Sequence, residues 1–165
     1  FLTICKNSKR ELNDMASNRH LGRIIALQSL YEFDFRTQVE DPSVQLEEIL
    51  QRNLQQYAAE IKDSSFVEGL VYGTQQHVAE IDTKLQPLAP EWPIQQIARV
   101  DHAILRLALY ELLYCSDSVP PKVVINEAVE LAKSFGSDNS SKFVNGVLGT
   151  AYRTLVGDTN HGDAV

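Results

Sequence analysis

Apolar positions recur at three- and four-residue intervals along most of the chain, and the short strand-like runs fit a helical period better than an alternating one. Leu21, Ile24, Ile25, Gln28 and Tyr31 share one stripe, which predicts a first helix over residues 18–35. Asp41-Pro42-Ser43 has the chemistry of a turn and cap. It precedes a second helix over 44–57, where Val44, Leu46, Ile49, Leu50 and Leu54 are the apolar positions. Asp63-Ser64-Ser65 starts a longer helix in which Val67, Leu70, Val71, Thr74, Val78, Ile81 and Leu85 keep the period. Pro87, Pro90 and Pro93 then break the pattern, and the junction between two helical halves is expected there. Over 99–115, Val100, Ala103, Ile104, Leu107, Ala108 and Tyr110 leave few polar positions, so this helix is expected to be central and mostly buried.

The stretch 119–149 is the most informative. Pro120 and Pro121 suit a helix start, where a missing N–H costs nothing. Val124, Ala128, Leu131, Ala132 and Phe135 follow at helical spacing, and Gly136 suits a C′ position. Ser137 to Ser141 offer side-chain oxygens to the free N–H groups of a last helix over 141–155, which buries Val144, Val147, Leu148, Ala151 and Leu155. The first turn of that helix shows Lys142, Phe143 and Asn145. A polar loop followed by a cation and a ring suits a phosphate and a base. A helix cap with a buried Phe fits the same spacing. The expected fold class is all-α: a compact bundle of about six to seven helices in two packed subdomains.

With 165 residues and 44% hydrophobic content, the chain is long enough for one cored domain and too apolar for a disordered one. No apolar run approaches the roughly 20 residues of a membrane span, so no membrane association is expected. Met15 is the only methionine and is expected near the natural start. Residues 1–14 are accordingly expected to be an extension, disordered or non-native, with a helical domain over 15–157 and a flexible tail over 158–165. Cys5 and Cys115 are the only cysteines, which indicates neither a disulfide framework nor a zinc site and suits a reducing cytoplasm. The net charge of −7 speaks against nucleic acid at first sight. The acidity is concentrated in residues 36–93, however, at −6, while 1–35 carry +1 and 94–155 are neutral.

Catalysis finds no support in these residues. His20, His77, His102 and His161 are scattered, with no metal-ligand spacing, so neither metal nor cofactor is expected. Glu47-Glu48 and Glu127/Glu130 fit solvated helix faces, and Gly136, Gly146 and Gly149 form no phosphate loop. Arg19 and Arg23 lie one helical turn apart at the start of the first helix and can share a face toward neighbouring phosphates. A plain solvated surface fits two arginines as well.

Taken whole, Pro120-Pro121-Lys122-Val123-Val124-Ile125-Asn126-Glu127-Ala128, Glu130-Leu131-Ala132-Lys133, Phe135-Gly136 and Lys142-Phe143-Val144-Asn145-Gly146-Val147-Leu148 resemble the NusB family of bacterial transcription antitermination factors. Arg99-Val100-Asp101, Ala103 to Ala108, Tyr110-Glu111-Leu112, and Arg23 with Ala26-Leu27-Gln28, Leu30 and Tyr31 carry the same resemblance in the same order. It runs from about Asn18 to Val156. The resemblance implies the all-α fold and a protein that is not an enzyme. It also implies binding of a boxA-type single-stranded RNA together with the ribosomal protein that serves as NusE, within an RNA polymerase antitermination complex. The implied RNA-binding set is Arg19, His20, Arg23, Gln28, Asn139, Lys142 and Phe143. Tyr31 and Asp101 match partner-binding positions. Tyr31 can equally be a half-buried core ring. An outward-facing Asp101 can await a partner's cation or pair internally with Arg106. His20 and Leu21 stand where the family often has arginines, which implies lower affinity and a shallower salt slope. Asn139 stands where it often has an acidic residue, and the lost repulsion is expected to compensate in part. The alternatives are an interaction bundle or dimer without RNA binding, and the N-terminal domain of a ribosomal RNA cytosine methyltransferase, although no Rossmann-type glycine motif is present. Monomer and homodimer both remain open.

Overall fold

The computed structural model describes residues 2–157, with side chains from Asp14 onward. The expected flexible tail and the side chain of Cys5 lie outside the described residues. Among the described residues the fold is all-α, as expected, with seven α-helices and no strand. They are α1 (Leu2–Gln38), α2 (Leu46–Gln56), α3 (Ser64–Gln76), α4 (Val78–Leu85), α5 (Arg99–Tyr114), α6 (Pro121–Phe135) and α7 (Ser140–Ala151). The chain resolves into two compact units, residues 1–71 and 72–165. The division falls within α3. It is not at the prolines, which join α4 to α5 inside the second unit.

In the first unit α1 packs on α2. The first helix was expected over 18–35, but α1 is far longer, because no Pro or Gly interrupts residues 2–17. Its buried arc is centred on Ile25, Ala26, Leu27 and Leu30, so the expected stripe is rotated: Leu21, Ile24 and Gln28 are half-buried and Tyr31 is exposed. Ile49, Leu50 and Leu54 of α2 are buried. The buried hydroxyl of Ser29 donates to the Ile25 carbonyl (2.8 Å) and accepts from Asn53 Nδ2 (2.9 Å), which satisfies the polar groups that this packing encloses. α1 ends at Glu40, whose φ of 57° is left-handed, with Asp41 N–H donating to Arg36 O (3.0 Å) and Glu40 N–H to Thr37 O (3.1 Å). Asp41 then makes the expected turn, accepting from Ser43 N–H (2.9 Å), Ser43 Oγ (2.7 Å) and Arg36 Nε (2.7 Å). The Ser43 hydroxyl and amide, with Arg36, hold the Asp41 carboxyl down at about 2.

The long helix expected from Asp63 is two helices. His77 breaks it: its φ of −105° and ψ of 10° leave the helical region, and its Nδ1 lies 2.8 Å from the Gly73 carbonyl. In the second unit α5 packs against α4, α6 and α7. Ile104, Leu105, Leu107 and Leu109 are all at most 1% exposed. Each such side chain contributes about 1.5–3 kcal/mol by burial, so α5 is the central helix, as its sequence predicted. Gly73 is required by a close approach, since a Cβ there would stand 2.1 Å from the Tyr110 hydroxyl. α6 buries Val124, Ala128, Leu131 and Ala132, whereas Phe135 is 41% exposed and does not join the expected stripe. α7 buries Val144, Val147, Leu148 and Ala151, then widens into a π turn over Tyr152–Val156 that leaves Leu155 half-buried.

Candidate nucleic-acid interface

Arg19, His20 and Arg23 sit well inside α1 and not at its start. The shared exposed face expected for the two arginines is not found: Arg19 is exposed, while Arg23 is 3% exposed. Phe66 of α3 meets both side chains. Its ring lies under both guanidinium groups, at 5.4 Å from Arg19 and 5.3 Å from Arg23. Gly22 lets the ring in, because a Cβ there would already be 3.0 Å from Phe66 Cδ1. His20 and Gln28 are half-buried. One turn of backbone is tied to the same place: Asn18 Nδ2 donates to Glu60 O (2.7 Å), and Lys62 N–H donates to Asn18 Oδ1 (3.1 Å). Asp63 caps α3, accepting from the Ser65 hydroxyl, Ser65 N–H (3.1 Å) and Phe66 N–H (3.4 Å). The Ser65 hydroxyl is the main reason its carboxyl lies below the ordinary 3.8. Asp14, Met15, Asn18, Arg19, Lys62, Asp63 and Phe66 together line a cleft of about 370 Å³.

In the second unit, Asn139, Lys142 and Phe143 are collected at the start of α7. Asn139 and Lys142 are exposed, and Phe143 is half-buried. The loop before them is closed differently from the expectation. Gly136 is extended (φ −91°, ψ −171°) and not left-handed, and Asn139, the N-cap, makes no side-chain cap bond. The buried Ser140 Oγ instead accepts from Ser137 N–H (2.9 Å) and lies 3.2 Å from Ser137 Oγ. Gly136 is needed because a Cβ would lie 2.4 Å from Ser140 Oγ and 2.7 Å from Ala132 O. The cap hydroxyl thus faces inward, and the outward side is left to Asn139, Lys142 and half the Phe143 ring.

The two expected partner positions differ in burial. Tyr31 is 39% exposed on α1. Asp101, in the first turn of α5, is only 6% exposed, and its Oδ1 has no hydrogen-bond partner. The expected outward position of Asp101 is therefore corrected, and so is the alternative pairing with Arg106. Arg106 donates to Asp82 through Nε (2.9 Å to Oδ1) and Nη2 (2.6 Å to Oδ2). His102 Nε2 lies 2.9 Å from Asp82 Oδ1. The positive end of the α5 dipole offsets part of the cost of enclosing Asp101. Among the described residues no group of His, Cys, Asp or Glu is placed to hold a metal, and no helix is long and apolar enough to cross a membrane.

Residues 20–153 match the NusB family. The chain belongs to it. It is 47% identical over 137 residues to the transcription antitermination protein NusB of Chloroflexus aggregans, across 82% of this chain and 87% of that protein. Against the NusB of Geobacter sulfurreducens the identity is 43%, across 83% and 95%. The solved structure of T. maritima NusB superposes with a TM-score of 0.73 at 31% identity, covering 82% of this chain and 91% of that one. A crystal structure of antitermination factors NusB and NusE in complex with dsRNA gives 0.71 at 26% identity, covering 83% and 97%. In this NusB-family chain, Asn18, Lys62 and Phe66 were not singled out from the sequence. Each is an ordinary residue in its own segment and acquires meaning only through contacts 42 to 48 positions away.

Proposed function

We propose that this protein is a cytoplasmic antitermination factor, working without catalysis or cofactor, that binds a boxA-type single-stranded RNA together with the NusE ribosomal protein. The observation that carries the RNA reading is the start of α7, where exposed Lys142 and half-exposed Phe143 follow an N-cap with no side-chain cap. Lys142 meets a phosphate as a point charge, and Phe143 stacks on an unpaired base. In the first unit Arg19 contacts the RNA, with the Phe66 ring beside both its guanidinium and that of buried Arg23. His20 and Gln28 are secondary contacts, and Asn139 removes a negative charge from the phosphate path. For the partner, Tyr31 offers an exposed ring, and Asp101, itself only 6% exposed, offers a negative charge at the start of α5. The role of the solved NusB and NusE proteins, which associate with RNA, supports the same assembly.

Fluorescence anisotropy with labelled boxA-like RNA, single-stranded and as a duplex, tests this. The single strand should bind more tightly, and Phe143→Ala should weaken it by about 1–3 kcal/mol, the usual range for a lost base–aromatic stack. Equal binding of both forms, unaffected by Phe143→Ala, would remove the stacking mechanism.

A further inference from the structure

We infer that the cleft between α1 and the start of α3 is a second RNA subsite, taking one nucleotide with Lys62 on its phosphate and the Arg19 guanidinium against its base. This inference rests on the RNA-binding reading above and extends it to residues outside the α7 start. Its volume of about 370 Å³ falls within the roughly 300–1,000 Å³ of small-ligand sites. Two cations from segments far apart in sequence line it, Arg19 beside a ring and Lys62 anchored through its backbone. Arg19 lies with its guanidinium carbon 5.4 Å from the centroid of the Phe66 ring, a cation–π contact at the edge of the cleft, and a guanidinium there is a group on which a base can stack. Lys62 is fixed at the backbone, because its N–H donates to Asn18 Oδ1 (3.1 Å) while Asn18 Nδ2 donates to Glu60 O (2.7 Å).

Arg19 and Lys62 face Asp14 and Asp63 in the cleft, so an anion arrives at Lys62 by taking the place of Asp14. Asp63 is engaged in capping α3 through the Ser65 hydroxyl and the N–H groups of Ser65 and Phe66. The Lys62 ammonium meets Asp14 at 3.4 Å, with the two side chains 71% and 73% exposed. Such a pair is held weakly and exchanges readily for a phosphate. A single nucleotide supplies both required groups, a planar base and an adjacent phosphate, whereas an acidic peptide supplies only the charge.

The test is anisotropy of the full chain with a short single-stranded boxA-like RNA over a salt series, comparing wild type with Lys62→Ala, Asp14→Asn and Phe143→Ala. Lys62→Ala should weaken binding about three- to tenfold and reduce the salt slope by about 0.7, the loss expected for one single-strand phosphate contact. Asp14→Asn should tighten binding, because it frees Lys62. If Phe143→Ala weakens binding while Lys62→Ala changes neither affinity nor slope, the subsite is refuted and the α7 reading stands. If wild type shows no salt-dependent binding, the underlying reading fails and the subsite fails with it. Loss of ribosomal-protein binding in Lys62→Ala, with RNA affinity unchanged, would assign the cleft to an acidic protein segment and also overturn the subsite.

Discussion

Replacing Asp82 by Asn should destabilise the protein by about 2 kcal/mol at neutral pH, through an ion network that ties α4 to the helix carrying Asp101. Asp82 accepts two bonds from Arg106, at 2.9 and 2.6 Å, and one from His102 at 2.9 Å. Burial alone would push its carboxyl up. The Arg106 and His102 hydrogen bonds and their charges outweigh burial and hold it at about 2 against an ordinary 3.8. At about 1.4 kcal/mol per pH unit, that depression is worth about 2 kcal/mol. The pKa is lowered in the folded state, so the stabilisation is fully present above about 3.8 and is lost as pH falls through about 2. Asn keeps the shape but not the charge, leaving the guanidinium of Arg106, 16% exposed, beside an amide. Urea unfolding at pH about 7, 4 and 2 should therefore show a difference of about 2 kcal/mol that shrinks toward zero at the acid end, with the m-value unchanged. A difference below about 0.5 kcal/mol at neutral pH, or one independent of pH, would refute the reasoning.

Three further outcomes follow from the two interfaces. Gly136→Ala should lower stability by about 1–3 kcal/mol in thermal unfolding, because its Cβ must displace Ser140 or the Ala132 carbonyl, and should weaken RNA binding with it. Asn139→Asp should separate the two properties. A carboxylate at the N-cap of α7 stabilises by about 0.3–1 kcal/mol, yet it repels phosphate, so calorimetry should show a rise in Tm and anisotropy a fall in affinity. Asp101→Asn should change the stability of the free protein by less than about 1 kcal/mol, since Oδ1 has no partner to lose, but should weaken the ribosomal protein at least about tenfold in calorimetric titration.

Much of the fold was legible because helices α2, α6 and α7 bury one stripe each, and a 3.6-residue period records that directly. α5 was recognisable as central from its lack of polar positions. The misreadings have local physical causes. Helix α1 ends at a left-handed Glu40, a conformation that sequence associates with Gly, so its end could not be placed. α3 and α4 keep one apolar period across His77, so the break in its backbone is invisible in the pattern. At the site, Lys142 and Phe143 lie where their spacing put them. Arg23 does not: it is buried, and the ring beside its guanidinium comes from Phe66, 43 positions away. Asp101 and Arg106 are close enough in sequence to suggest a pair, but Asp82 provides the better-placed carboxylate.

Assembly on RNA with a protein partner is the function proposed for this chain. Its most direct measurement is the affinity for boxA-like single-stranded RNA, at low and moderate salt, with and without the NusE-type ribosomal protein. Binding should weaken with salt and tighten about tenfold or more when the partner is present, through the effective concentration of two sites on one strand. Absence of RNA binding even at low salt with the partner present would contradict it, leaving the helical fold intact and the RNA function without support.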